Sequence, residues 1–249
     1  MNIKKIGLTA LAASLVSVSA HAGALSVSGG ASIGVKDTSK TSTGKSFTMG
    51  NSVTFTGSGE LDNGMNVSIS FELDQGAEAG TAGAAAKGPF DSHSVTISSD
   101  DLGTLVFAGH GGSSAMSAVD DVTPSAYEEP WDIVTGADAG IINGHSGNNM
   151  FTYKYSHETG VNLTLAYINA SDAVTDVSYT DYGVTYTGVD GLTVGYGQGD
   201  VEQTTNTKSD ENTMFAKYAM GGITVGLQMS EKDNDTGSDY ESTSFGISY

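Results

Sequence analysis

Histidines and carboxylates are the residues with which this chain could do chemistry, and their spacing decides how far that goes. His157-Glu158 opens like the helical zinc motif, but no histidine follows one turn later, and the segment alternates like the end of a strand. His93, His110 and His145 are scattered through strand ends and connections, where the plain reading is a solvated side chain. Gly109-His110-Gly111-Gly112-Ser113 lacks the lysine and the helix of a phosphate-cradling loop. Asp100-Asp101 and Asp120-Asp121 offer hard oxygen ligands, but without calcium-loop spacing they read as solvated acids in preference to a structural Ca²⁺ site. Cysteine is absent, which excludes thiol catalysis and thiolate metal sites. No catalytic residue, resident metal or cofactor is expected.

The elements that would carry these residues are strands. Leu192, Val194 and Tyr196 alternate with polar residues; so do Ile223, Val225, Leu227 and Met229, and Phe245, Ile247 and Tyr249. The same two-residue rhythm yields about twelve strands, at residues 24–36, 46–60, 65–74, 92–98, 103–110, 149–157, 161–169, 177–187, 192–200, 212–220, 223–230 and 240–249. Ser, Thr, Gly and Asn fill the other parity. A wall that is apolar on one side and wet on the other, with no helices, suits a transmembrane antiparallel up-and-down β-barrel. A Lys on the lipid side costs roughly 2–4 kcal/mol at the bilayer midplane. Lys36, Glu60, Glu72, Lys154 and Lys217 all fall at the polar parity and are assigned to the lumen wall. Two features strain the pattern. Phe215 shares the parity of Lys217, and residues 177–187 place tyrosines on both faces, so an inward aromatic or a bulge is expected.

Residues 1–22 have a basic start at Lys4 and Lys5, a short apolar stretch and an Ala20-His21-Ala22 cleavage pattern, as in a secretory signal peptide. That leaves 23–249 as one barrel domain. Lys4 and Lys5 are the only charges in the leader, so its removal takes the formal charge from −19 to −21. All the basic residues are Lys, and nucleic-acid binding is not expected of so acidic a chain.

Connections alternate short and long, so one rim carries turns and the other carries loops. Asn63-Gly64 marks one of the tight turns. The longest connection, 111–148, holds Asp120, Asp121, Glu128, Glu129, Asp132 and Asp138, no Lys, Pro124 and Pro130, and the sole Trp131. The bland reading is a solvated outer loop. The favoured one folds it into the lumen, with Tyr127 and Trp131 as anchors, Glu128, Glu129 and Asp132 at the constriction, and Asp120 and Asp121 near its mouth.

Gly59-Glu60-Leu61-Asp62-Asn63-Gly64-Met65, the turn through Asp101-Leu102-Gly103-Thr104-Leu105, and the acidic loop with Tyr127-Glu128-Glu129-Pro130-Trp131 resemble a Gram-negative general diffusion porin, most of all the alphaproteobacterial, Rhodobacter-type and marine porins. The resemblance covers the whole mature chain. It implies an outer-membrane homotrimer of barrels in contact with lipid and lipopolysaccharide, each with its third loop folded inward, passing small hydrophilic solutes and ions. It also implies sixteen strands against the twelve read here, and arginines facing the acids of the constriction, of which this chain has none. Missing strands after Tyr249 are the expectation that reconciles the count. The acidic loop leads to an expected preference for cations. The rival readings are a secreted acidic adhesin or surface-layer β-protein and a twelve-stranded outer-membrane enzyme.

Overall fold

The computed structural model describes residues 25–37, 45–74, 90–120, 122–124, 146–169, 177–203 and 207–249. The expected signal peptide lies outside them. Contacts group the chain into two units, residues 1–100 and 101–249.

The first unit contains β1 (Leu25–Asp37), β2 (Lys45–Glu60), β3 (Asn66–Asp74) and β4 (Ser92–Ser99), each antiparallel to the next. Register sorts the two faces. Phe55 pairs with Val27 and Phe71, and Ile69 with Gly57 and Val95. At the other parity Thr54 pairs with Ser28 and Glu72, and Ser68 with Ser58 and Thr96. The apolar face is open: Ile33 is 80% and Val27 57% exposed. The β2–β3 turn closes with Gly64 N–H donating to Leu61 O (2.9 Å), Met65 N–H donating to Asn63 Oδ1 (3.2 Å), and Gly64 at φ 81°. That is the positive-φ conformation foreseen for Asn63-Gly64.

The second unit holds β5 (Gly103–His110), a ribbon of β6 (Gly112–Ser113) with β7 (Ser146–Gly147), and then β8 (Met150–Ser156), β9 (Val161–Ile168), β10 (Val177–Val189), β11 (Leu192–Gln203), β12 (Thr207–Met220), β13 (Ile223–Asn234) and β14 (Tyr240–Ser248). β5 pairs with β8, and each later strand pairs antiparallel with the next. One face presents Leu165, Tyr167, Tyr182, Tyr196, Met214, Tyr218, Leu227, Met229, Phe245 and Ile247, all exposed. The opposite face is covered by a short segment that includes a 3-10 turn at Met116–Ala118. Buried against that segment or beside it are Met150, Thr152, Ala166, Tyr179, Asp181, Glu211, Thr213, Phe215, Gln228 and Ser230. An inner and an outer face are thus distinguished by what covers them.

The twelve long strands among the described residues match the expected number, and the sixteen implied by the resemblance are not reached there. Phe215 does point inward: a Cβ built on Gly195 would meet its ring, so glycine makes room for the aromatic. The tyrosines of β10 divide without a bulge between them. Tyr179 is 1% exposed on the inner face, Tyr182 lies on the outer, and the register shifts only between Tyr186 and Val189. Two connections are shorter than expected. β11 runs on to Gln203, β12 begins at Thr207 and β13 reaches Asn234, whereas the polar stretches 201–211 and 231–239 had suggested loops. Lys208 and Glu202 form an ion pair at 3.0 Å, and Asp235 N–H donates to Lys208 O, so the ladder continues beyond the apolar band. Polar side chains are no obstacle to strand pairing once the strand has left hydrocarbon.

The face assignment has a mutational consequence. We expect Leu227→Lys, in the outer apolar band, to cost about 2–4 kcal/mol of folding stability in lipid vesicles. Ser242→Lys, on the inner parity, should cost less than half as much. Urea midpoints read by heat-modifiable gel mobility compare the two.

Candidate functional site

The site begins where β5 ends. Residues 111–148 leave the rim as a ribbon, with Gly112 opposite Gly147 and Ser113 opposite Ser146. Thr152 Oγ1 on β8 donates to Ser113 O (3.1 Å) and holds the departing strand against the wall. The chain then turns onto the inner face instead of out into solvent. Residues 114–120 and 122–124 cross the inner surfaces of β10 to β14 in sequence. Four strand spacings amount to roughly 19 Å, within the reach of this limb even with the 3-10 turn at Met116–Ala118.

Three kinds of interaction hold this limb. The first is close approach over glycine. Gly183 pairs with Gly197 across β10–β11, and Gly226 with Gly246 across β13–β14. A Cβ on Gly197 would lie 2.6 Å from Val119 Cγ2 and 2.7 Å from Met116 Sδ, and one on Gly226 would lie 2.6 Å from Pro124 Cδ. Neither pair can accept a side chain while the limb stays where it is. The second is apolar burial. Met116 and Val119 are 0% and 1% exposed among Met150, Ala166, Ile168, Tyr179, Val201 and Phe215, and Val122 packs against the same cluster. Each such side chain contributes about 1.5–3 kcal/mol.

The third is a set of directed hydrogen bonds from the wall. Met116 N–H donates to Asp181 Oδ2 at 2.6 Å. Gln228 Oε1 accepts from Val122 N–H at 3.2 Å. Its Nε2 has Val119 O (3.0 Å), Asp120 O and Thr213 Oγ1 (2.9 Å) within hydrogen-bond distance and shares its two N–H groups among them. Thr213 in turn shares a hydrogen bond with Ser230 Oγ (2.8 Å). Gln228 is 3% and Thr213 0% exposed. A buried limb of irregular chain needs such partners, because its peptide groups have no ladder of their own.

Charged groups on the same wall follow. Asp181 is in register with Gly199, and Gly199 with Glu211. Tyr179 lies over Gly199, filling the space between the two acids. Glu211 Oε1 accepts from Lys232 Nζ at 2.7 Å, an ion pair that is nearly buried on the acidic side. Lys154 and Lys217 have the inner parity: Lys154 pairs with Thr104 and Thr164, and Lys217 with Thr193 and Gly226. In the first unit Lys36 is in register with Ser46 at the polar parity of β1, Glu60 is opposite Asn66, and Glu72 Oε2 accepts from Ser92 Oγ at 3.0 Å.

Of the expected loop residues, Asp120 is described, and its carbonyl oxygen is bound by Gln228. Asp121, Tyr127, Glu128, Glu129, Trp131 and Asp132 lie outside the described residues. Sequence reasoning missed Asp181, Gln228, Glu211 and Lys232. The first two were legible only as inner-parity polar residues among many. The last two sat in stretches taken for loops, although counting in twos from Thr213 and Ser230 would have placed both inside. The letters Gly-x-Ser-x-Gly also occur, at Gly30-Ala31-Ser32-Ile33-Gly34. All five residues belong to β1, so there is no strand-to-helix elbow to expose the serine. Among the described residues no cluster of acids and histidines could hold a metal, and no helix is long and apolar enough to cross a membrane, which says nothing of strands.

Comparison with known proteins fits this geometry. A family model described as Gram-negative porin matches residues 7–249. Among solved structures, an anion-selective porin from Comamonas acidovorans is similar with 20% identity and a TM-score of 0.53, over 89% of this chain and 73% of that one. OmpT, an outer membrane protein of Vibrio cholerae, gives 11% identity and a TM-score of 0.58, over 90% and 69%. OmpF of Salmonella typhi, in complex with daunomycin, gives 14% and 0.55, over 85% and 66%. At these identities the likeness is one of fold. A comparison with curated protein sequences returns no match. With strands apolar on one side and polar on the other, the first limb of a long connection laid along the polar side, and a family match over nearly its whole length, the chain belongs to the Gram-negative porins, diffusion channels of the bacterial outer membrane and not enzymes.

Proposed function

We propose that this porin passes small hydrophilic solutes with a preference for cations, and that its third long loop forms the constriction. The observation that carries this reading is the path of residues 114–120 and 122–124 along the inner face of β10–β14. The chain enters residues 125–145 from Pro124, which lies on that inner face, and leaves them at Ser146 in the ribbon. Glu128, Glu129 and Asp132 follow within eight residues of Pro124, and Asp120 and Asp121 precede it. Tyr127 and Trp131 serve as further anchors.

The sign of selectivity follows from the charges. The described wall of the second unit offers Lys154, Lys217 and Lys232, but Glu211 neutralises Lys232 at 2.7 Å. Residues 111–148 add six acids and no lysine. Fixed charge in a narrow passage with low-dielectric walls concentrates counter-ions. The absence of arginine leaves lysine alone to oppose the acids. The Comamonas porin is named for the opposite selectivity, so the balance of wall lysines and loop acids, rather than the fold, sets the sign. A homotrimer and contact of the outer rim with lipopolysaccharide are part of the same reading.

Two measurements test it. In planar bilayers under a KCl gradient the reversal potential should move toward that of K⁺; movement toward that of Cl⁻ would refute cation preference. Combined Glu128→Gln, Glu129→Gln and Asp132→Asn should bring the permeability ratio close to unity, on the order of a several-fold fall. An unchanged ratio would remove these three residues from the constriction.

A further inference from the structure

We infer that Gln228 is the positioning residue of the constriction: a buried amide on β13 whose two ends grip opposite groups of the third loop and set where that loop crosses the channel. The inference rests on the channel reading above and adds the residue through which the wall controls the loop.

Four observations converge on this residue. Gln228 is 3% exposed and sits among Thr213 and Ser230, so its side chain is held before the loop arrives. Its carbonyl end accepts from Val122 N–H, and its amino end donates to Val119 O and Asp120 O. One planar group therefore fixes both the entry and the exit of a bend in the chain, and does so in only one orientation. On one side of the bend Val119 packs over Gly197, and on the other Pro124 packs over Gly226 and Gly246. Those glycine contacts bring the limb close but do not orient it, because apolar packing has no direction. The amide supplies the direction. In the sequence these contacts come immediately before the acidic stretch with Glu128, Glu129 and Asp132.

Other wall contacts do not share this property. Asp181 accepts from Met116 N–H, with Ala115 N–H and the Ser114 hydroxyl also bonded to it, all at the near end of the limb, and leaves the path beyond undetermined. Glu211 is engaged by Lys232 within the wall.

The inference predicts different results for substitutions of similar size. Gln228→Leu keeps the volume and removes both donors and the acceptor. Gln228→Glu keeps the shape and the acceptor but sets a carboxylate against two carbonyl oxygens. Both should still insert as heat-modifiable barrels. Both should show about tenfold more frequent current excursions between substates than the parent channel, the population change that loss of a buried hydrogen-bond partner produces. Gln228→Leu should also pass larger neutral solutes in liposome swelling. Thr224→Val, elsewhere on the inner face of β13, is the control and should leave the current trace unaltered.

Quiet, unchanged conductance in both Gln228 variants would overturn the inference while leaving the channel intact. Failure of the parent protein to conduct at all would instead refute the channel reading.

Discussion

The governing constraint is that hydrocarbon offers the backbone no hydrogen bonds. A strand exposed to lipid must give every N–H and C=O to a neighbouring strand, and the ladders from β1 to β4 and from β8 to β14 do so residue by residue. Once the backbone is committed in this way, side chains have only two directions to take. Period two then becomes a division between solvents. Met214, Ala216 and Tyr218 go one way and Thr213, Phe215 and Lys217 the other. Where the strands extend past the apolar band the same parity carries Asp200, Asp210 and Asp233, paired across three strands. Carboxylates tolerate that position because the strand there has passed into water.

The inner face is not simply polar. It is shaped. Gly183, Gly197, Gly226 and Gly246 strip side chains from a track on which the third loop's first limb rests, and Phe215 and Tyr179 fill the space above Gly195 and Gly199 beside it. Small and large residues alternate along the wall because each aromatic needs a bare neighbour on which to lie. This arrangement explains why so many glycines occur inside strands, where glycine alone would weaken the sheet by roughly 0.5–1 kcal/mol each. The loss is offset by burial of Met116 and Val119 and by satisfaction of the limb's peptide groups through Asp181 and Gln228.

Strand existence and face were legible in the chain because alternation is a local property: Tyr153, Lys154 and Tyr155 disclose the two sides without reference to any other segment. The ends of β11, β12 and β13 were less so. Glu202, Lys208 and Glu231 look like loop residues until cross-strand partners are known, and the Glu202–Lys208 pair exists only once the register has brought the two together. Tyr179 and Phe215 looked like exceptions to the pattern. Their place on the inner face depends on Gly199 and Gly195 of a neighbouring strand, which local periodicity does not reveal.

The amino-acid sequence by itself determined the two-faced strands, the tight turn at Asn63-Gly64, the length and acidity of the connection after β5, and the parity of Lys154 and Lys217. Each follows from neighbours one to four residues apart. Only the tertiary structure decided that residues 114–120 and 122–124 lie against the wall, that Gln228 clasps Val119, Asp120 and Val122, and that Lys232 is spent on Glu211. Gln228 and Val119 are 109 residues apart in the chain. No local rule relates them, because the geometry that joins them comes from the register accumulated over every intervening strand.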